Sequence, residues 1–239
     1  MDNIATGHTG LLCLLGSPVE HSISPAMQNT ACRLTGQDLC YLAFDVQPER
    51  LPAAVAGLRA IGFKGCNVTM PHKNAMAQLV DELSPAARLC GAVNTVVNQN
   101  GCLVGHTTDG VGWVHSARAE GCDPTGKAIV QLGAGGAGTA ILVQAALDGA
   151  KSIAVFNMRD AFWPRVEALV QRLNQETDCC VTLHELTDTL LSWTNDAKIS
   201  LSLPSLRADS FTDELMQKVS SVRTSTLTFA PEAGTQRLR

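Results

Sequence analysis

Ala128-Ile129-Val130-Gln131-Leu132-Gly133-Ala134-Gly135-Gly136-Ala137-Gly138 decides the fold. An apolar run of strand length stops on Gly133-x-Gly135-x-x-Gly138. An Ala-rich helical segment from Thr139 to Asp148 follows and closes at Gly149. Ser152-Ile153-Ala154-Val155-Phe156-Asn157 is the next strand, so the glycines lie inside a βαβ unit. In that setting the first glycine allows the tight turn, the second lets backbone approach a pyrophosphate, and the third lets helix pack on strand. The helix N-terminus then presents free N–H groups to the phosphates. A glycine loop that only turns the chain is the plain alternative, and correct flanks on both sides weigh against it. Gly133, Ala134, Gly135, Gly136, Ala137 and Gly138 are therefore candidate cofactor residues. Asn157, Arg159 and Asp160 join them at the end of the second strand. An acid there accepts from ribose hydroxyls and suits NAD, whereas an Arg pairs with the 2′-phosphate of NADP. Both stand here, so NADP or NAD stays open.

Outward from this unit, Trp163 to Asn174 reads as a helix and Cys180 to Leu183 as a third strand. Upstream, Leu11–Leu15, Cys40–Val46 and Gly65–Thr69 are apolar strand runs. Helical patterns cover Ala26–Leu34 (after Pro25), Glu49–Ile61 and Lys73–Leu83, and Ser84-Pro85 opens a short helix. Ala92–Val97 and Cys102–Gly105 flank Asn98-Gln99-Asn100-Gly101, a hairpin turn. Strands alternating with helices predict an α/β protein with a mainly parallel sheet. The expected division is residues 1–108 as one α/β unit, 109–125 as a linking helix and 126–197 as a partial dinucleotide unit. Residues 198–239 differ in character from both.

The chain has 239 residues, a net charge of −4, 45% hydrophobic and 17% charged residues. That is a globular composition with enough length for a real core. The slight acidity argues against nucleic acid, whose phosphates need a basic face. No apolar run reaches the ~18–20 residues that span a bilayer. The nine cysteines form no CxxC pair, so they read as reduced thiols of a cytoplasmic protein and no metal site is expected.

Polar residues gather where the upstream strands end: Ser22 and Ser24; Asn67, Thr69 and Lys73; Asn94 and Thr95; and Asp109. Taken singly, each suits a cap or a turn. Together, hydroxyls, amides, one Lys and one Asp suit a small polyhydroxylated carboxylate. The motifs Ser22-Ile23-Ser24-Pro25, Asn67-Val68-Thr69-Met70-Pro71-His72-Lys73, Gly91-Ala92-Val93-Asn94-Thr95 and Thr108-Asp109-Gly110, followed by the glycine loop, resemble the shikimate dehydrogenase family in order and spacing. The resemblance covers Leu11 to about Ala197. Phe156 to Trp163 looks most like the quinate/shikimate dehydrogenase branch.

The resemblance implies a substrate-binding domain followed by a truncated Rossmann-type domain. It implies reversible NAD(P)-dependent reduction of 3-dehydroshikimate to shikimate, and of 3-dehydroquinate to quinate. Ser22 and Ser24 would hold the substrate carboxylate, with Tyr41 adding its hydroxyl. Thr69, Asn94 and Asp109 would hold ring hydroxyls, and Asn67 would line the pocket. Lys73 and Asp109 would flank the carbon that changes oxidation state. A Lys there can polarise a ketone and shuttle its proton. The Lys–Asp pair titrates as a unit, and the residues leave open which group is the base. A homodimer is compatible with the resemblance.

Three features depart from the family pattern. Thr107 replaces a usual Asn, and Met158 replaces an Arg that grips the 2′-phosphate. After Ala197 the family's remaining motifs are absent. Instead Leu203 to Phe211 and Leu227 to Thr235 resemble an interior piece of a radical S-adenosylmethionine enzyme, without its CxxxCxxC triplet. The expectation is a dehydrogenase chain cut short and joined to a foreign segment, its third Rossmann strand left as an open edge. The competing readings are a protein that binds shikimate or quinate without turnover, and a radical-enzyme fragment.

Overall fold

The computed structural model describes residues 5–194 and the backbone of 206–207 and 229–230. The first unit is built from β1 (Gly10–Gly16), α1 (Ser24–Leu34), β2 (Leu39–Asp45), α2 (Leu51–Ala60) and β3 (Gly65–Val68). It continues with α3 (Lys73–Met76), β4 (Glu82–Leu83), α4 (Pro85–Cys90), β5 (Thr95–Gln99) and β6 (Cys102–His106). Its six strands lie in the order β2-β1-β3-β5-β6-β4. Helix α5 (Asp109–Ala119) leads to β7 (Ala128–Leu132), α6 (Gly136–Leu147), β8 (Ser152–Asn157), α7 (Trp163–Glu176), β9 (Cys180–Glu185) and α8 (Leu186–Thr194). Here β7, β8 and β9 pair in parallel. The separate pair β10 (Leu206–Arg207) and β11 (Phe229–Ala230) is also parallel.

The local chemistry explains these elements. Pro25, Pro52 and Pro85 sit in the first turns of α1, α2 and α4, where a missing N–H costs nothing. The Ser84 hydroxyl accepts from Ala87 N at 3.3 Å and caps α4, which ends on Gly91 in the left-handed region. Asn100 (φ 54°) and Gly101 (φ 100°) make the tight turn between β5 and β6.

Three of the expected patterns differ in the structure. The first sheet is mixed, because β5 runs antiparallel to both β3 and β6. The helix expected over Lys73–Leu83 stops at Met76. Asp81 exchanges backbone and side-chain bonds with Leu103 (2.9 and 2.7 Å), and Glu82–Leu83 pair with Val104–Gly105. Met76, Leu79, Val80 and Leu83 still face the core, so the helical spacing was satisfied by a non-helical path. The helix expected from Glu49 begins with a 3₁₀ turn over Pro48–Arg50. Among the described residues both β7 and β9 are edges of the three-stranded sheet, and Val130 and Leu132 of β7 are exposed. The tail beyond Ala197 lies outside the described residues apart from the β10–β11 pair.

One core cluster packs Leu15, Leu51, Phe63, Met76, Val96 and Leu103 under the first sheet. A second joins α4 (Ala86, Leu89, Cys90) to Leu142 and Val143 of α6, Ile153 and Val155 of β8, and Val166 and Leu173 of α7. At ~1.5–3 kcal/mol per buried large side chain, this second cluster holds the three-stranded unit against α4. Gly110 and Ala140 bring α5 and α6 close, and a Cβ at Gly110 would meet the Ala140 carbonyl.

Candidate active site

Strands β1, β2 and β3 run parallel, so their C-terminal ends open on one side. The segment after β1 carries Ser22 and leads into α1 at Ser24, and the segment after β3 carries Thr69 and leads into α3 at Lys73. Open α/β sheets bind ligands at this edge.

A continuous chain of hydrogen bonds crosses the site. The Tyr41 hydroxyl donates to Asn67 Oδ1 at 2.9 Å, and Asn67 Nδ2 donates to Thr95 Oγ1 at 3.3 Å. The Thr95 hydroxyl donates to Asn94 Oδ1 at 3.0 Å, and Asn94 Nδ2 donates to Asp109 Oδ1 at 2.8 Å. Lys73 Nζ donates to Asp109 Oδ2 at 3.2 Å. The register places Asn67, Thr95 and His106 opposite one another on β3, β5 and β6. Residues far apart in sequence therefore share one face.

The backbone around Lys73 is pinned. Its carbonyl accepts from Val93 N at 2.8 Å, and Asn74 Nδ2 donates to Gly91 O at 2.9 Å. His72 is buried, with Nε2 2.6 Å from Val46 O. A carbonyl can only accept, so that nitrogen carries the proton. The Lys73 and Asp109 side chains keep 36% and 41% of their exposure. A pair so open is worth ~0–1 kcal/mol, so it orients the two groups more than it stabilises the fold.

Tyr41 is buried, and its hydroxyl is engaged by Asn67. Burial pushes its phenol up to about 12, with smaller contributions from nearby Cys13 and Cys66. Ser22 Oγ accepts from Ser24 N at 3.2 Å, and Thr69 N donates to Leu15 O at 2.9 Å. All three residues are half-buried, and none of these bonds joins them to the Lys73–Asp109 chain. An open groove of about 550 Å³ begins beside the network, lined by Thr95, Thr108, His106, Val97, Val111 and Leu147 among others.

The glycine loop fits a dinucleotide. Gly133 has φ +86°, closed to most other residues. A Cβ on Gly138 would sit 2.7 Å from Gly133 O, so only glycine allows helix and strand this close. Gly135 and Gly136 face open space, and α6 starts at Gly136 with its N–H groups toward the loop. Asn157 is buried, accepting from Ala134 N (3.0 Å) and donating to Met158 O (2.8 Å). Gln131 Nε2 holds Gly133 O and Gly138 O, both at 2.9 Å. The Asp160 carboxylate accepts from Phe162 N at 2.9 Å, and the Arg159 guanidinium lies 5.5 Å from the Trp163 ring centroid. Both side chains are exposed at the end of β8, and each is engaged away from the other.

Thr95, named with Asn94 from the sequence, lies inside the network, and Thr108, quoted in the Asp109 motif, donates to Asn94 Oδ1. Asn29 and Gln131 also shape the site and lie outside the motifs read from the sequence. Gln131 offered one signal, a polar side chain inside an apolar strand. Among the described residues, no cluster of three or more His, Cys, Asp or Glu is placed to hold a metal. None of their helices is long and apolar enough to cross a membrane.

The family model for the shikimate dehydrogenase substrate binding domain matches residues 14–96. A shikimate dehydrogenase (NADP(+)) of Listeria monocytogenes is 48% identical over 183 residues, 77% of this chain and 63% of that protein. A quinate/shikimate dehydrogenase of Escherichia coli is 47% identical over 178 residues, 74% of this chain and 62% of that protein. The crystal structure of shikimate 5-dehydrogenase from Listeria monocytogenes with shikimate and NAD superposes with a TM-score of 0.74 at 46% identity, covering 78% of this chain and 65% of that one. The chain thus spans under two thirds of the length of these relatives.

The fold defines an α/β protein in which a domain of the substrate-binding type precedes a Rossmann-type domain. Within that class, the chain belongs to the shikimate dehydrogenase family.

Proposed function

We propose that this chain carries the site of an NAD(P)-dependent dehydrogenase for shikimate, quinate or both. The observation that carries the reading is the Lys73–Asp109–Asn94 constellation beside the ends of the parallel strands. Residues 1–108 supply the substrate side, 109–125 link, 126–197 hold the dinucleotide, and 198–239 have no assigned role. A bound nicotinamide dinucleotide supplies or removes the hydride. Gly133 to Gly138 would take its pyrophosphate, with Asn157 setting the loop and Arg159 and Asp160 near the ribose. Their opposed charges leave both NAD and NADP in the reading.

Ser22 and Ser24 hold the substrate carboxylate by their hydroxyls. Thr69, Asn94 and Asp109 hold ring hydroxyls. Lys73, as an ammonium, donates to the oxygen on the reacting carbon and offsets charge there as it becomes an alkoxide. In reduction the alkoxide takes its proton from the Lys73–Asp109 pair, and in oxidation the pair takes the hydroxyl proton as the hydride leaves. Tyr41 acts through Asn67, since its hydroxyl is already engaged. The scattered thiols and the net charge of −4 support a cytoplasmic protein that needs neither nucleic acid nor membrane. A homodimer is the assembly to test by light scattering.

Dinucleotide absorbance, followed with shikimate or quinate and NAD or NADP, tests the reading. Turnover with at least one pairing is the expected result. The proposed substrate residues all lie in the first 109 positions, which favours one second reading: binding of shikimate or quinate without turnover. Thermal stabilisation by either compound without dinucleotide reduction would select it. Neither turnover nor stabilisation would overturn both.

A further inference from the structure

Helix α1 begins with Ser24 and follows directly on Ser22, so its placement sets where those two hydroxyls stand. Its grip on the sheet is slight. Cys32 is its one buried residue, while Met27, Leu34 and the preceding Ile23 are exposed. A helix with so little buried surface can slide or roll unless something polar fixes it.

Asn29 does this. Its Oδ1 accepts from Tyr41 N at 2.8 Å, and its Nδ2 donates to Tyr41 O at 2.9 Å. Among the described residues strand β2 is the edge of the six-stranded sheet, so the outward N–H and C=O of Tyr41 meet no strand there. The Asn29 amide stands in for that strand. Among the described residues, these are the hydrogen bonds that tie α1 to the sheet. Tyr41 is in turn fixed by its hydroxyl on Asn67. One amide therefore connects the Ser22–Ser24 end to the Tyr41–Asn67–Thr95–Asn94 chain.

We infer that Asn29 is a positioning residue that sets the distance between the Ser22–Ser24 hydroxyls and the rest of the substrate site, and so governs affinity for the carboxylate end of the substrate. The inference rests on the proposed function. It acts on substrate binding alone, because the Asn29 amide holds Tyr41 of the first sheet, whereas the glycine loop joins β7 to α6 in the second unit.

The test is calorimetric titration of shikimate, and separately of NAD and NADP, into the parent and Asn29→Ala, below the melting temperature of each. The expected result is a shikimate Kd about tenfold weaker in Asn29→Ala, as loss of two modest hydrogen bonds implies. Dinucleotide affinity should be unchanged, and kcat at saturating substrate close to the parent's. Equal shikimate affinity in parent and variant would overturn the inference and leave the proposed function standing. A parallel loss of dinucleotide affinity would also overturn it, since that marks general loosening. A parent that binds neither shikimate nor quinate would remove the proposed function, and the inference with it. Should Asn29→Ala not fold, Asn29→Ser is read by the same criteria.

Discussion

Lys73 Nζ lies 3.2 Å from Asp109 Oδ2, while Asp109 Oδ1 takes a 2.8 Å bond from Asn94. The carboxylate is thus aimed at the ammonium by a neutral amide. Lys73→Ala should lower turnover by ~10²–10⁴, the usual worth of a positioned proton-transfer group. The half-exposed pair adds ~0–1 kcal/mol of stability, so the melting curve should barely move. Initial rates and thermal melts on the same preparation check both. A variant as active as the parent would remove Lys73 from the chemistry.

Asn94 gives a finer test. Its Nδ2 holds Asp109, and its Oδ1 takes bonds from Thr95 and Thr108. Asn94→Asp keeps the acceptor, loses the donor and places a second carboxylate against Asp109. Two such groups disfavour joint ionisation. Asn94→Asp should therefore turn the Asp109 carboxylate out of line with Lys73 and lower kcat/KM, read from initial rates at one pH. An unchanged kcat/KM would show that the Asn94 donor does not aim Asp109.

Two glycines of one loop should respond in opposite ways. At Gly138 a Cβ would meet Gly133 O at 2.7 Å, and backbone cannot swing aside as a side chain can. Gly138→Ala should cost ~1–3 kcal/mol in chemical denaturation. At Gly135 the space is open and the backbone (φ −68°) suits any residue. Gly135→Ala should leave stability unchanged and weaken dinucleotide binding about tenfold or more, because the new methyl occupies the line of approach. Equal dinucleotide affinity in Gly135→Ala and the parent would show that the pyrophosphate does not approach there.

The packing of α4 against the second unit separates apolar from polar glue. Leu89 is buried in the shared cluster, whereas Arg165 reaches Cys90 O at 3.1 Å from an exposed position. Leu89→Ala should cost ~2–5 kcal/mol. Arg165→Met should cost ~1 kcal/mol or less, since water can replace an exposed donor. Urea denaturation of both variants ranks them, and the reverse order would assign the junction to the arginine.

The glycine loop was legible in the sequence because its demands are local: a turn, a close approach and a packed helix, each readable within eleven residues. β7 and β8 follow the same logic, and their bounds match the apolar runs. The Lys73–Leu83 segment was not legible, since Met76, Leu79, Val80 and Leu83 keep a helical spacing. What ends the helix is a pairing with Leu103 and Val104, some twenty residues later. The antiparallel course of β5 is hidden for the same reason, being set by the Asn100-Gly101 turn and by partners on β3. At the site, Lys73, Asn94 and Asp109 were readable as polar groups at strand ends. Asn29 was not, because its role appears only when β2 becomes a sheet edge that leaves Tyr41 unpaired.

Tyr41 is the sole tyrosine of the chain, so tyrosinate absorbance reports on it alone. Burial pushes its phenol up to about 12 from the ordinary 10.0. A raised value means that the folded state holds the proton more tightly than the unfolded one. The resulting stability is fully present below the unfolded value near 10.0 and is lost as pH rises toward about 12. Two units correspond to at most about 2.7 kcal/mol. The native protein should titrate at the raised value, and the urea-unfolded chain near the ordinary one. Tyr41→Phe should lose ~1–3 kcal/mol at neutral pH, because Asn67 Oδ1 is left without its donor. It should then show a shallower fall in stability across the alkaline window than the parent. Native and unfolded titrations that coincide would place the phenol in solvent and take Tyr41 out of the chain that ends at Asp109.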